Sequence, residues 1–201
     1  MSTISNKMPQ TRQMLFISGR ISLDLAHTGG IRTEQAKAFE QLHEPNDFAD
    51  WLARSQLSLT GLTISKNDLA AVYELREAIW YAAHAVQRQV VVDALDRDII
   101  NKYAAHSPII PCIGHHNRLL WTRPISTTAV LSYIARDTID LLGSEAREKI
   151  RECANPACPL LFVDSSRSGK RRWCSMERCG SMAKTTKFRN KTKRSLPTNQ
   201  G

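Results

Sequence analysis

The chain has 201 residues, 42% of them apolar, with 28 Lys+Arg against 19 Asp+Glu for a formal charge of +9. That apolar content excludes global disorder, and the length suits one ordinary domain plus a small module. Residues 1–144 hold 14 basic and 14 acidic side chains, whereas residues 145–201 hold 14 basic and 5 acidic, so the last 57 positions carry the whole excess. A neutral body with a basic end points to a polyanion as partner, nucleic acid being the simplest.

Residues 1–12 are polar and read as a flexible N-terminus. The apolar run Met14-Leu15-Phe16-Ile17 is too short for a signal-peptide core, and no run approaches the ~18 residues of a membrane span. A cytoplasmic protein without a membrane partner is therefore expected. Met14 to His27 is compatible with helix or strand. Asn46 or Asp47 is suited to cap a short helix whose Phe48, Trp51 and Leu52 share one face. Ser65-x-x-Asp68 has the form of a capping box and opens the longest helical pattern, from Leu69 through Val72, Leu75, Ile79 and Trp80 towards Val86. A further helix is expected from Asp93 through Leu95, Ile99 and Tyr103, with Pro108 as its stop. Ile109–Ile113 and Leu119–Thr122, separated by Gly114-His115-His116-Asn117, form a hairpin signal. A last helix of the body is expected from Thr127 to Gly143.

Five cysteines follow or interrupt this pattern. Cys112 lies in an apolar run and reads as a buried bystander. The other four are spaced Cys153-x4-Cys158-x15-Cys174-x4-Cys179. Zinc takes four tetrahedral ligands and favours thiolate, so two local pairs joined by a loop suit it. The alternatives are two disulfides or four unrelated core cysteines, and both fit poorly in a Lys- and Arg-rich segment with little core of its own. Four thiolates leave no open coordination position, so the zinc is expected to be structural and the protein not an enzyme. Between the pairs, Leu160–Val163 reads as a strand, Ser165–Gly169 as a turn and Arg171-Arg172-Trp173 as a returning strand. A polar stretch from Ala183 to Lys193 is compatible with a helix.

The expected fold class is mostly α (α+β). It comprises a helical N-terminal domain with one β-hairpin over residues 13–146, a small treble-clef-like four-cysteine zinc finger over 147–194, and a flexible tail over 195–201. Candidate nucleic-acid contacts fall in two groups. Arg167, Lys170, Arg171 and Arg172 occupy the turn and returning strand, and Arg178, Lys184, Lys187, Arg189 and Lys191 continue into the terminal helix. A solvated charge run is the alternative explanation for these residues.

The finger segment resembles that of the CGNR family, bacterial proteins described as stress-induced transcription regulators. The resemblance runs through Cys153, Cys158, Phe162, Asp164, Ser166-Arg167, Arg171 to Met176, Cys179-Gly180 and Ala183-Lys184. The N-terminal ABATE domain of that family is resembled more loosely, by Ser18-Gly19, Leu23 to Thr28 and Leu75 to Ala78. The chain departs from the family pattern in two places. Ser181-Met182 stands where the family motif has Asn-Arg, which removes a candidate phosphate or base contact, and His27 stands where Asn is usual. The resemblance implies a zinc-dependent, nucleoid-associated DNA-binding regulator, with RNA or an acidic protein as alternative partners.

A regulator needs an input, and the neutral body offers Asp24, His27, Arg76, Trp80 and His84 as a candidate pocket for a small-molecule effector. The bland reading of these residues is an ion-paired Arg76 and a core Trp80. Homo-oligomerisation is a further expectation for the body. His115-His116-Asn117 invites comparison with HNH nucleases, but it lies 36 positions before Cys153 and outside the finger, which argues against nuclease chemistry.

Overall fold

The computed structural model describes residues 14–29 and 40–185. Its helices begin where side chains satisfy the first free N–H groups. Ile21–Ala26 (α1) is buried along its whole length. Its entrance is held by Asp137, which accepts from Ser22 N and Ser22 Oγ and ion-pairs with Arg20 at 2.9 Å. Pro45–Arg54 (α2) carries Phe48, Trp51 and Leu52 on its buried face. Its cap is Glu44 rather than the expected Asn46 or Asp47. Pro45 occupies the first helical position, where no N–H is needed, and Asp47 sits two residues further in, closing a capping box.

Lys66–Gln87 (α3) starts at the Ser65–Asp68 capping box and runs for 22 residues, about 33 Å. It is the central element, contacting α1, α2, the next two helices and a strand of the finger. Ala94–Ala104 (α4) is capped by Asp93 and ends four residues before Pro108. Thr127–Gly143 (α5) is capped by Ser126. Leu25, Phe48, Trp51, Leu75, Ile79 and Ile134 are each fully buried in the core that these helices share. Burial of this kind contributes roughly 1.5–3 kcal/mol per large side chain.

Between α4 and α5, Pro111–Ile113 (β1) and Leu119–Trp121 (β2) pair antiparallel with Cys112 opposite Leu120. The hairpin stands on the body through Trp121, whose Nε1 donates to Leu57 O at 2.8 Å and whose ring meets Tyr133 edge-on. Most of the hairpin is exposed, and Cys112 is exposed with it. The expected burial of Cys112 is thereby corrected: a two-stranded hairpin that no third element covers cannot hide its own residues.

In the finger, Ile150–Glu152 (β3) and Leu161–Val163 (β4) form the second hairpin, with Arg151 opposite Phe162. The expected partner of β4 was Arg171-Arg172-Trp173, and that segment is not a strand. Its polar groups are spent singly. Arg171 N donates to Asp164 Oδ2 at 2.9 Å, Arg172 O accepts from Ala154 N at 2.8 Å, and Trp173 O accepts from the Arg171 guanidinium. The chain is mostly helical with two small antiparallel hairpins and a four-cysteine finger at its C-terminal side.

The finger packs directly on the helical body. Ile150 and Leu161 share a buried cluster with Leu23, Ala83 and Leu141. Val163 N donates to Ser18 O, and Leu161 N donates to His27 Nε2 at 3.2 Å. The extended segment before α1 completes the seam, with Leu15 and Ile17 lying against the cysteine cluster.

Candidate metal centre and basic surface

The four Sγ atoms of Cys153, Cys158, Cys174 and Cys179 all lie within 4.8 Å of one another. The Cys158–Cys174 and Cys174–Cys179 separations are 3.7 and 3.6 Å. A tetrahedron of thiolates around zinc, with Zn–S near 2.3 Å, has edges of about 3.8 Å, so the spacing fits the ion. The chemistry of the donor set agrees. Burial and neighbouring thiols push Cys179 up to about 11, and Cys158 pushes Cys174 up further, while hydrogen bonding from Cys174 pulls Cys158 down to about 6. Four buried thiols cannot all ionise on their own account; a dication at their centre stabilises all four thiolates.

Local backbone geometry aims each cysteine. Cys153 follows β3 and donates its N–H to Leu160 O, on the chain entering β4. Cys158 closes a turn in which its N–H bonds Asn155 O at 2.8 Å and Asn155 Oδ1 accepts from Ala157 N. Ser175 caps the helical turn Met176–Gly180, which carries Cys179. A Cβ on Gly180 would lie 2.9 Å from Met176 Sδ, so a larger residue there would displace the exposed Met176 side chain. Among the N–H groups that point at sulfur are Cys174 N, 3.5 Å from Cys153 Sγ, and Asn155 Nδ2, 3.6 Å from Cys179 Sγ. Such outer contacts orient ligands and temper their charge. Spacing alone reveals nothing of Asn155, whose role appears only once the turn is built.

The basic residues divide sharply in use. Arg167 and Lys170 are exposed on the turn after β4, which Asp164 organises by accepting from Ser166 N and Arg171 N. Arg172 is exposed over the Trp173 ring, and Lys184 is exposed on the helical turn at 181–185. Arg178 is half-buried. Arg171, expected among the contacts, is turned inward instead. Its guanidinium stacks 4.5 Å from the Phe162 ring and donates to the carbonyls of Ile17, Trp173 and Cys174. It ties the finger to the segment before α1 and has little left for an outside anion. Lys187, Arg189 and Lys191 lie outside the described residues, as do the expected N-terminal and C-terminal tails. Arg147 and Lys149 are also exposed, beside β3; they precede the first cysteine and carry no motif.

The five candidate pocket residues are all engaged in packing. Asp24 accepts from the N–H groups of Ile17 and Ser18, and burial raises it to about 6 against those bonds. Arg76 forms a two-pronged ion pair with Glu40, at 2.6 and 2.8 Å, and reaches Thr28 Oγ1. His27, Trp80 and His84 do come together: Trp80 meets the His27 ring edge-on and lies 4.4 Å from the His84 ring. Burial, then the neighbouring His84, pushes His27 down to about 3, so it stays neutral and accepts from Leu161 N. The His115-His116-Asn117 turn is exposed at the hairpin tip.

Residues 19–145 match the ABATE family, described as "Putative stress-induced transcription regulator", and residues 149–192 match the CGNR zinc finger. No curated protein matches the chain. With four cysteines placed to hold one structural zinc ion and the larger part of its length matched, the chain belongs to the ABATE family and is a zinc-finger regulatory protein.

Proposed function

We propose that this protein is a transcription regulator that binds duplex DNA through the outer surface of its finger and does no chemistry there. The observation that carries this reading is the group of exposed cations on elements the metal site organises: Arg167, Lys170, Arg172 and Lys184. These side chains neutralise phosphates, releasing counterions, and so supply affinity without sequence information. Selectivity requires a base contact, and an arginine on guanine is the commonest kind. Arg167 and Arg172 are the described candidates, since Arg171 is bound internally. The zinc supplies structure: it holds together the cysteine pairs on either side of the basic turn at Arg167 and Lys170 and next to the helical turn at 181–185.

Fluorescence anisotropy with a labelled duplex and the zinc-loaded full chain tests the reading. Duplex DNA should outcompete structured RNA at equal salt, and Arg167→Gln with Lys170→Gln should weaken binding while Arg171→Lys mainly lowers stability. Preference for structured RNA, or a partner captured independently of nuclease treatment, would favour another function.

A further inference from the structure

The outer surface of the finger carries one group that phosphate binding does not use. Between Cys153 and Thr185 the chain has six Lys and Arg side chains but two carboxylates, Asp164 and Glu177. Asp164 is 3% exposed and accepts from the N–H groups of Ser166 and Arg171, so it builds the basic turn. Glu177 is exposed, and its carboxylate pairs with none of the described residues.

The position of Glu177 is fixed from both sides. Ser175 caps the helical turn that holds it, and the zinc ligand Cys179 follows two residues later. Met176–Gly180 runs without a break into the helical turn at 181–185, Ser181 having helical φ and ψ of −60° and −47°. Cys179 and Gly180 are buried, whereas Glu177, Ser181 and Lys184 are exposed. Spacings of four and then three residues set the exposed three along one side of the helix.

Phosphate oxygens only accept hydrogen bonds, and a carboxylate facing them is repelled. An acceptor on this surface therefore matches a donor, and the donors of duplex DNA lie on its bases. The major groove admits a helix and presents two amines, adenine N6 and cytosine N4. Adenine N6 sits between two acceptors, its own N7 and thymine O4, which oppose a carboxylate. Cytosine N4 has guanine O6 on one side alone, so it is the better partner.

We propose that Glu177 is a specificity residue, accepting a hydrogen bond from cytosine N4 in the major groove while the surrounding cations hold phosphates on either side. This inference rests on the finger binding duplex DNA.

Selection of sites from a randomised duplex pool by the zinc-loaded full chain tests it. Wild-type sites should hold a cytosine whose replacement by another base weakens binding by about 10-fold or more. Glu177→Gln should exchange that preference for adenine, which offers a glutamine both a donor and an acceptor, and Glu177→Ala should leave the position unspecified. Lys184→Gln should weaken every duplex alike and keep the cytosine. One bound zinc per chain and a cooperative melting curve show that each variant folds. Wild-type sites without a fixed cytosine, or a cytosine kept by Glu177→Gln, would overturn the assignment. So would a Glu177→Gln chain that binds all duplexes more tightly to the same degree, since Glu177 would then face phosphate. A Glu177→Gln chain that melts earlier with its base preference intact would assign the carboxylate to the backbone dipole of its turn instead. A wild-type chain that binds no duplex would overturn the proposed function itself, and the cytosine contact with it.

Discussion

The helical body and the finger stabilise themselves by different means, though they share a seam. The body buries Phe48, Trp51, Leu75, Ile79 and Ile134 almost completely, a core large enough to offset the entropy of ordering its helices. In the finger, the buried cluster is the four cysteines with Leu160 and Phe162, which is too small to fold a basic segment alone. Metal ligation replaces hydrophobic mass there. One consequence is positional: a site held by a single ion can afford an exposed, charged surface that an apolar core of this size could not support.

Breaking the metal site should separate the two regions most clearly. Cys174→Ser removes a ligand from a centre whose binding supplies roughly 10 kcal/mol in small zinc domains. Hydrogen exchange should show amides between Cys153 and Gly180 losing protection while those of α3 and α5 keep theirs. Equal loss throughout would mean that the body depends on the finger as much as the reverse. The seam sharpens the comparison. Leu161 is 1% exposed among Leu23, Ala83, Leu141 and Ile150, and Leu161→Ala should cost about 2–4 kcal/mol in urea unfolding. Because the cavity opens between the regions, zinc stoichiometry should remain one while the body melts earlier.

The smallest effect concerns His27. Its value near 3 in the fold lies below its ordinary 6.5, so the unfolded chain takes up a proton that the folded one refuses. Stability should therefore fall as pH drops from about 6.5 towards 3. The loss is about 2 kcal/mol between neutrality and pH 5, at about 1.4 kcal/mol per unit. Asp24, raised to about 6 from 3.8, acts in the opposite sense over part of this range, since its folded form binds the proton more readily. His27→Asn keeps an acceptor and removes only the histidine contribution. The difference between variant and parent in thermal unfolding at pH 7 and pH 5 isolates it, and no difference would remove His27 from the seam's energetics.

Local signals were legible in the sequence. Ser65-x-x-Asp68, Asp93 and Ser126 mark helix starts by chemistry acting over three or four residues, and the cysteine spacing marks its own site. What could not be read was non-local. The strand that pairs with β4 precedes the first cysteine, His27 reaches Leu161 across 134 positions, and Arg171 turns inward because Phe162 and three carbonyls wait for it. A basic residue in a basic segment gives no sign of which way it points. Cys112 fails for a related reason, since an apolar run implies burial only when something covers it.

If the metal organises a cationic surface for DNA, binding must depend on salt. Affinity of the zinc-loaded chain for a duplex, measured across a range of salt, should fall with a log–log slope of roughly −4.5 for about five neutralised phosphates. Truncation at Arg151 should abolish that binding. An affinity indifferent to salt, or one that survives the truncation, would mean that the finger's cations do not hold DNA.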